Sequence, residues 1–217
     1  MKKDDSDTVK DLSVPEIVFK FRNQSLCIKT NIQVLKDAWK LQPNFKEKNT
    51  GAFYSIIQDN CIFRIVLETY KMLYDNVKGS TTIYKMANVC YWAMISMEEF
   101  ADQQQELLTA KKKFSFNLNK FENVKKVIIA NRNRVYAHND QEYHWFSDSY
   151  IELWGMTDQI YNEILDISNI CIDYCNELLG YFNKRPIYEY SNHDDIKRLF
   201  GIKTERDIEV EMVKSLF

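Results

Sequence analysis

Apolar residues along this chain recur every three to four positions, which is the spacing of one face of an α-helix rather than the alternation of a β-strand. The first such segment begins with SVPE at residues 13–16, where serine, early proline and glutamate form a helix-start signal. Because Pro43 interrupts the pattern, we predict a first helix from residue 13 to about Leu41.

A second helix is predicted over residues 51–76, "GAFYSIIQDNCIFRIVLETYKMLYDN". Its apolar stripe is wide, because Ile56, Phe63 and Tyr70 are among the residues that flank a central seam beginning at Phe53. A stripe of this width predicts contact with more than one neighbouring element.

Three further segments complete the predicted bundle. Ser80 is the expected cap of a third helix over residues 81–113, and a fourth spans residues 118–138. A last long helix is predicted from about residue 149 to 182, with Gly155 inside it at a cost of about 1 kcal/mol relative to alanine.

The predicted fold is all-α, an up-and-down bundle of four to five long helices with short C-terminal helices. Residues 1–12 are polar and are expected to form a flexible leader. Residues 13–183 would form the bundle. Residues 184–217 would form a helical tail that packs on the same domain.

Composition narrows the class of protein. Hydrophobic residues make up 45% of the 217 residues, and five glycines and three prolines are few, which agrees with long helices. The five cysteines lack any CxxC spacing and replace small apolar residues in the helical stripes, so we expect free core thiols and a reducing compartment. Neither a signal-peptide core nor a membrane-length apolar run is present, and the predicted location is cytoplasmic, without membrane partners.

Net charge is −2, so any anion-binding surface must be local. Between Lys111 and His138, eight basic residues face a single acid, which gives that segment a balance of +7. Lys125 and Lys126 are the central candidates for attracting an RNA backbone. The alternative is a lysine-rich, solvated helix surface.

The same segment ends in a cluster of polar residues that includes Arg132, Asn133 and His138. On a helical wheel at about 100° per residue, Arg132 and His138 lie about 60° to either side of the apolar Val135. They therefore border the predicted buried seam without pointing into it. Such positions suit a groove where two surfaces meet, although helix ends also carry such residues without function.

The sequence "RNRVYAH" resembles the signature of the HEPN superfamily (higher eukaryotes and prokaryotes nucleotide-binding domain). In that signature, four to six residues separate an arginine from the histidine that follows it. Five residues separate Arg132 from His138, whereas Arg134 is too close to fit. The ending "AHND", and the upstream segment 70–86, "YKMLYDNVKGSTTIYKM", resemble the abortive-infection U-type branch. The aromatic segment "QEYHWF" after the motif has no counterpart in that pattern.

This resemblance implies a metal-independent ribonuclease of a toxin or antiphage system, with an active site formed across a homodimer. Histidine suits proton transfer, because its unperturbed pKa of about 6.5 is near neutral. Arginine suits phosphate, because it stays charged and presents a fork of donors. Asn133 would orient His138 or hold a phosphate oxygen. Further candidates for support or RNA binding are Arg134, Tyr136 and Asp140, in addition to Lys125 and Lys126.

The same side chains could instead bind a metal ion. His138, Asp140 and His144 offer nitrogen and oxygen ligands, but their spacing matches no standard metal site. Glycine-rich phosphate loops are absent, so neither metal nor cofactor is predicted. The expected partners are RNA, a second copy of the chain and an antitoxin, of the nucleotidyltransferase type or another. A non-catalytic HEPN-like module that binds a nucleotide or a partner is the alternative function.

Overall fold

The structure is a computed structural model, and it describes residues 13–47, 51–75, 81–133 and 155–183. Within these ranges the chain is helical and contains no strand, so the predicted all-α helical bundle is confirmed. The helices are α1 (Val14–Lys40), α2 (Gln42–Glu47), α3 (Gly51–Leu73), α4 (Ile83–Ile95), α5 (Gln104–Leu118), α6 (Glu122–Asn131) and α7 (Asp158–Tyr181). A 3₁₀ turn, Glu98–Gln103, lies between α4 and α5.

The start of α1 follows the predicted capping signal. The backbone N–H of Ser13 donates to Glu16 Oε2 at 2.7 Å, and the Ser13 hydroxyl donates to the same oxygen at 2.8 Å. These bonds lower the pKa of the Glu16 carboxyl. The helix ends at Lys40, one residue before the predicted end, and Pro43 lies in the first turn of the short α2.

The predicted third helix is wrong, because residues 81–113 form two helices and a 3₁₀ turn. The break follows α4, where the Ser96 hydroxyl donates to the carbonyl of Ala93 at 2.7 Å and the Met97 N–H donates to Met94 at 3.0 Å. The cap of α4 is Thr82, which accepts from the Lys85 N–H. Ser80, the predicted cap, lies outside the described residues.

The last helix also begins later than predicted. Thr157 caps α7, and its hydroxyl accepts from the Ile160 N–H at 3.4 Å. Gly155, which the pattern placed inside this helix, has a φ of +67°, a conformation that does not continue a right-handed helix. The predicted capping box at residues 149–152 lies outside the described residues, as does the predicted C-terminal tail.

The described residues divide into two compact units. The first contains residues 13–29, 66–75, 81–133 and 155–183. In this unit α5 packs against α4 and α7, and α6 packs against α7. Aromatic rings fill its interior: Phe114 stacks on Tyr174 at 4.2 Å between centroids, and Phe100 meets Phe182 edge-on at 5.1 Å.

Helix α1 is tied into the first unit by buried polar contacts. Arg22 is only 1% exposed, and its Nε donates to Asn176 Oδ1 on α7 at 2.7 Å. The Ser25 hydroxyl lies 3.2 Å from the sulfur of Met72 on α3. These contacts fix α1 against two helices and place α3 beside it.

The second unit contains residues 30–47 and 51–65. Its small core is built around the buried Ala38, with Val34, Leu41, Tyr54 and Ile57 packed against it. The wide stripe of α3 is only partly buried, because Phe53, Ile56 and Phe63 remain 46%, 56% and 37% exposed. The domain boundaries predicted from the sequence stay a prediction.

All five cysteines lie in described helices and are free thiols, as predicted, and four of them are buried. Burial raises the pKa of Cys61 to about 11 and that of Cys90 to about 12. Thiols with raised pKa values are poor nucleophiles at neutral pH. None of the helices described here has both the length and the apolar character of a membrane span.

Candidate active site at the end of helix α6

Helix α6 carries the start of the arginine–histidine motif at its C-terminal end. The N–H of Arg132 caps the helix by donating to the carbonyls of Ile128 and Ile129. Arg132 and Asn133 continue in a wider, π-helical turn. π-Helical turns are rare in proteins, and those that occur are often found at functional sites.

Buried residues on the inner face of α6 pack the helix against α7 and so position the turn that follows it. Val124, Val127 and Ile128 are buried, and the helix packs on α7. Opposite Val127, the chain passes through Gly155, where an added Cβ would lie 3.2 Å from Val127 Cγ2. The absent side chain therefore allows a close approach that holds α6 against the start of α7.

Arg132 is held by an aromatic ring from another helix. Its guanidinium carbon lies 4.8 Å from the ring centroid of Tyr70 on α3, within the range of a cation–π interaction. Its Nη1 donates to Asn133 Oδ1 at 3.0 Å. The arginine thus has a defined platform and a polar neighbour from its own motif.

The two asparagines that flank Arg132 have different surroundings. Asn131 is 1% exposed, and its Nδ2 donates to the carbonyl of Val127 at 2.8 Å. Asn133 is half-buried and contacts the arginine. Asn133 thus contacts the Arg132 guanidinium, and the catalytic role predicted for it stays a prediction.

The remaining motif residues lie outside the described part of the chain. Arg134, Tyr136, His138 and Asp140 belong to this group, and so does His144 of the alternative metal set. Their roles stay predictions. The predicted placement of Arg132 and His138 to either side of Val135 also stays a prediction.

The two lysines predicted to attract RNA lie on different faces of α6. At about 100° per residue, Lys125 lies roughly 20° from Arg132 around the helix axis, whereas Lys126 lies roughly 120° away. Lys125 is 46% exposed and its Nζ is 3.9 Å from Glu122 Oε1. On an ideal α-helix, Lys125 therefore shares the face of the motif arginine and Lys126 does not.

A cavity of about 280 Å³ opens beside this face of α6. Lys125, Glu122 and Ile129 line it from α6. The rest of its lining comes from Leu73, Tyr74, Thr82, Tyr84, Leu118, Asn119 and Phe121. Burial raises the pKa of Tyr84 to about 12 and that of Tyr74 further, with neighbouring acidic groups adding to both shifts. Both phenols therefore stay protonated at neutral pH.

Residues 20–199 match the HEPN family described as AbiU2. The chain belongs to this family. The matched range contains every helix that lines the cavity or carries the platform of Arg132, from α3 to α6. Membership of AbiU2 makes the chain a HEPN module of the abortive-infection type. Comparisons with curated proteins and with solved structures yield no match.

Three residues that the structure places beside Arg132 or around the cavity were not selected from the sequence. Tyr70 belongs to the wide stripe of α3 and begins the upstream segment that resembles the family, yet neither signal indicated a contact with Arg132. Tyr74 and Tyr84 lie in the upstream segment that resembled the family, without any indication that they share a cavity with Lys125. Side chains that meet across helices leave no local periodic signal.

Proposed function

We propose that this HEPN protein is a metal-independent endoribonuclease, a toxin or antiphage effector whose active site forms across a homodimer. The observation that carries the proposal is the placement of Arg132 on the ring of Tyr70 beside Asn133, at the start of the arginine–histidine motif. Membership of a HEPN family supports it.

The proposed reaction is an internal transesterification of RNA. A histidine removes the proton from a 2′-hydroxyl, and the 2′-oxygen bonds to the adjacent phosphorus. The bond from phosphorus to the 5′-oxygen breaks, and that oxygen takes a proton from a histidinium. The products are a 2′,3′-cyclic phosphate and a 5′-hydroxyl. His138 is the proposed proton carrier because its unperturbed pKa is near neutrality.

Arg132 would stabilise the negative charge that develops on the phosphorane. A guanidinium has five N–H donors, so one hydrogen bond to Asn133 leaves capacity for a bidentate contact with phosphate. The Tyr70 ring, 4.8 Å from the guanidinium carbon, would hold the arginine in place through a cation–π interaction. A platform of this kind reduces the reorganisation needed at the moment of reaction.

A dimer follows from the number of motif histidines. The motif supplies one histidine per chain, yet the reaction uses both a base and an acid. A two-fold axis that brings two motifs together supplies both groups. Because such an enzyme endangers its own cell, we also expect an antitoxin partner, of the nucleotidyltransferase type or another.

The test is cleavage of total RNA and of tRNA by the full-length protein in excess EDTA. We expect cleavage by the unaltered chain and none by His138→Ala. Arg132→Ala should lose rate equivalent to roughly 2.7–4 kcal/mol, by analogy with removal of one oxyanion donor. The control is Lys20→Ala, an exposed lysine on α1, which should cleave normally.

Two results would overturn the proposal. Cleavage that disappears with EDTA and returns with a divalent cation would indicate metal-activated water instead. RNA binding without cleavage, unchanged by His138→Ala, would support the non-catalytic binding module.

A further inference from the structure

The cavity lies close to Arg132 along two helices, α6 and α3. Along α6, Ile129 lies about 4.5 Å before Arg132 and Lys125 about 10.5 Å before it, at about 1.5 Å per residue. Along α3, Tyr74 in the cavity wall lies one turn after Tyr70, the platform of Arg132. The cavity therefore adjoins the proposed site of phosphate chemistry.

The groups around the cavity suit a nucleotide. Two tyrosines, Tyr74 and Tyr84, bring aromatic rings and protonated hydroxyls. Asn119 adds an amide that both donates and accepts, and Glu122 adds an acceptor for an exocyclic amino group. Lys125 adds a cation on the face that leads to Arg132.

We propose that this cavity holds one unpaired nucleotide of the RNA substrate, next to the phosphate that Arg132 contacts. This inference rests on the proposed ribonuclease function and assigns that site a recognition subsite. The base lies among the tyrosine rings, and Lys125 contacts the backbone phosphate on the Arg132 side. Sequence-specific RNA recognition by proteins usually targets unpaired bases in this manner, with stacking on aromatic side chains.

The volume agrees with a single nucleotide. A cavity of about 280 Å³ is just below the usual range of small-molecule sites, which begins at roughly 300 Å³. Such a space excludes a duplex and admits one base splayed out of a single strand. The enzyme would consequently prefer loops and single-stranded regions of its RNA.

The test measures binding apart from cleavage. The probe is a short, fluorescent single-stranded RNA methylated at each 2′-oxygen, which the proposed chemistry cannot cut, and the readout is anisotropy as a function of salt. Lys125→Ala should reduce the slope of log K against log salt by about 0.7, the value for one phosphate contact on a single strand. Tyr84→Leu should weaken binding roughly five- to hundredfold, and Tyr84→Phe should retain most of it.

Matched controls separate the cavity from general effects. Lys20→Ala removes an exposed lysine on another helix, and Tyr91→Leu removes a half-buried ring two turns further along α4. Neither should change affinity or salt slope. Circular dichroism and thermal unfolding establish that each variant folds, and the exposed Lys125 gives a test that does not disturb the core.

The outcomes distinguish this inference from the function itself. If the unaltered protein cleaves RNA but Lys125→Ala and Tyr84→Leu bind the probe as it does, the cavity proposal is wrong and the ribonuclease proposal stands. If adenosine 5′-monophosphate binds in a Lys125-dependent way while RNA affinity is unaffected by either variant, the cavity serves a free nucleotide and the RNA assignment is wrong.

Discussion

Removal of the Tyr70 ring should impair catalysis by releasing Arg132. The guanidinium lies 4.8 Å from the ring centroid, inside the limit of about 6 Å for a cation–π interaction. Arg132 is half-buried, so the interaction lies between the exposed and desolvated cases, about 0.5–2 kcal/mol. If that energy positions the arginine in the transition state, Tyr70→Leu should lower kcat/KM about 2- to 30-fold.

The assay compares Tyr70→Leu with Tyr70→Phe, which keeps the ring and loses only the hydroxyl. Tyr70→Phe should retain most of the activity. The loss in Tyr70→Leu should lower kcat more than it raises KM, because the charge on phosphate grows in the transition state. The matched control is Tyr91→Leu, which removes another cation–π pair, with Lys111 at 4.7 Å. Urea denaturation of each variant measures any loss of stability separately.

A double-mutant cycle gives the decisive measurement. In an Arg132→Ala background, Tyr70→Leu should cause no further loss of kcat/KM, because the group that it positions is gone. Equal and additive losses in both backgrounds would refute the positioning role and make Tyr70 a packing residue. Equal impairment of Tyr70→Phe and Tyr70→Leu would refute the role of the ring.

Three further predictions follow from the site and its support. RNA should be cut to 2′,3′-cyclic phosphate and 5′-hydroxyl ends, as read by end-labelling and mass spectrometry, whereas DNA should stay intact; 5′-phosphate products would contradict this chemistry. Gly155→Ala should lower the free energy of unfolding by about 1–2 kcal/mol in urea titration, because its φ is +67° and Val127 is close. Gly180→Ala, in helix α7 with open space around it, should raise that free energy by about 0.5–1 kcal/mol; equal effects of the two substitutions would refute the argument. Sedimentation should give the mass of a dimer, and RNA cleavage by a strict monomer would contradict the shared site.

Helix formation was largely predictable from the sequence, because it depends on local spacing and capping. The capping box at Ser13 and the stripes of α3 and α7 gave the correct class and most of the correct positions. The break between α4 and α5 was not predictable, because neither glycine nor proline marks it. It depends on the Ser96 hydroxyl, which bonds to the preceding turn, and on Phe100, which packs on Phe182.

The beginning of the last helix shows a second limit of local reasoning. A glycine inside an apolar period is tolerated in helices at a modest cost, so the sequence permitted Gly155 inside α7. Its actual conformation is left-handed, with a φ of +67°, and it lies close to Val127 of α6. The local pattern indicates neither feature, and the helix starts only after Thr157, which provides the cap.

The candidate site was only half predictable for the same reason. Arg132 was selected by its spacing to His138 in the family signature, and Asn133 as the polar residue after it. Nothing in that signature indicated a platform on Tyr70, which is 62 positions earlier in the chain. The lysines 125 and 126 were equivalent by charge. Only the geometry of α6 separates them, because Lys125 alone lines the cavity and shares the face of Arg132.

The two segments that carried the family resemblance have a physical reason to occur together. Segment 70–86 contains Tyr70, which supports Arg132, and also the two tyrosines that line the cavity. Segment 132–138 begins with the arginine that this platform holds. If the first segment positions both the arginine and the substrate nucleotide while the second performs the chemistry, neither suffices alone. Substitutions in segment 70–86 should therefore impair cleavage even though the proposed proton-transfer residue lies elsewhere in the chain.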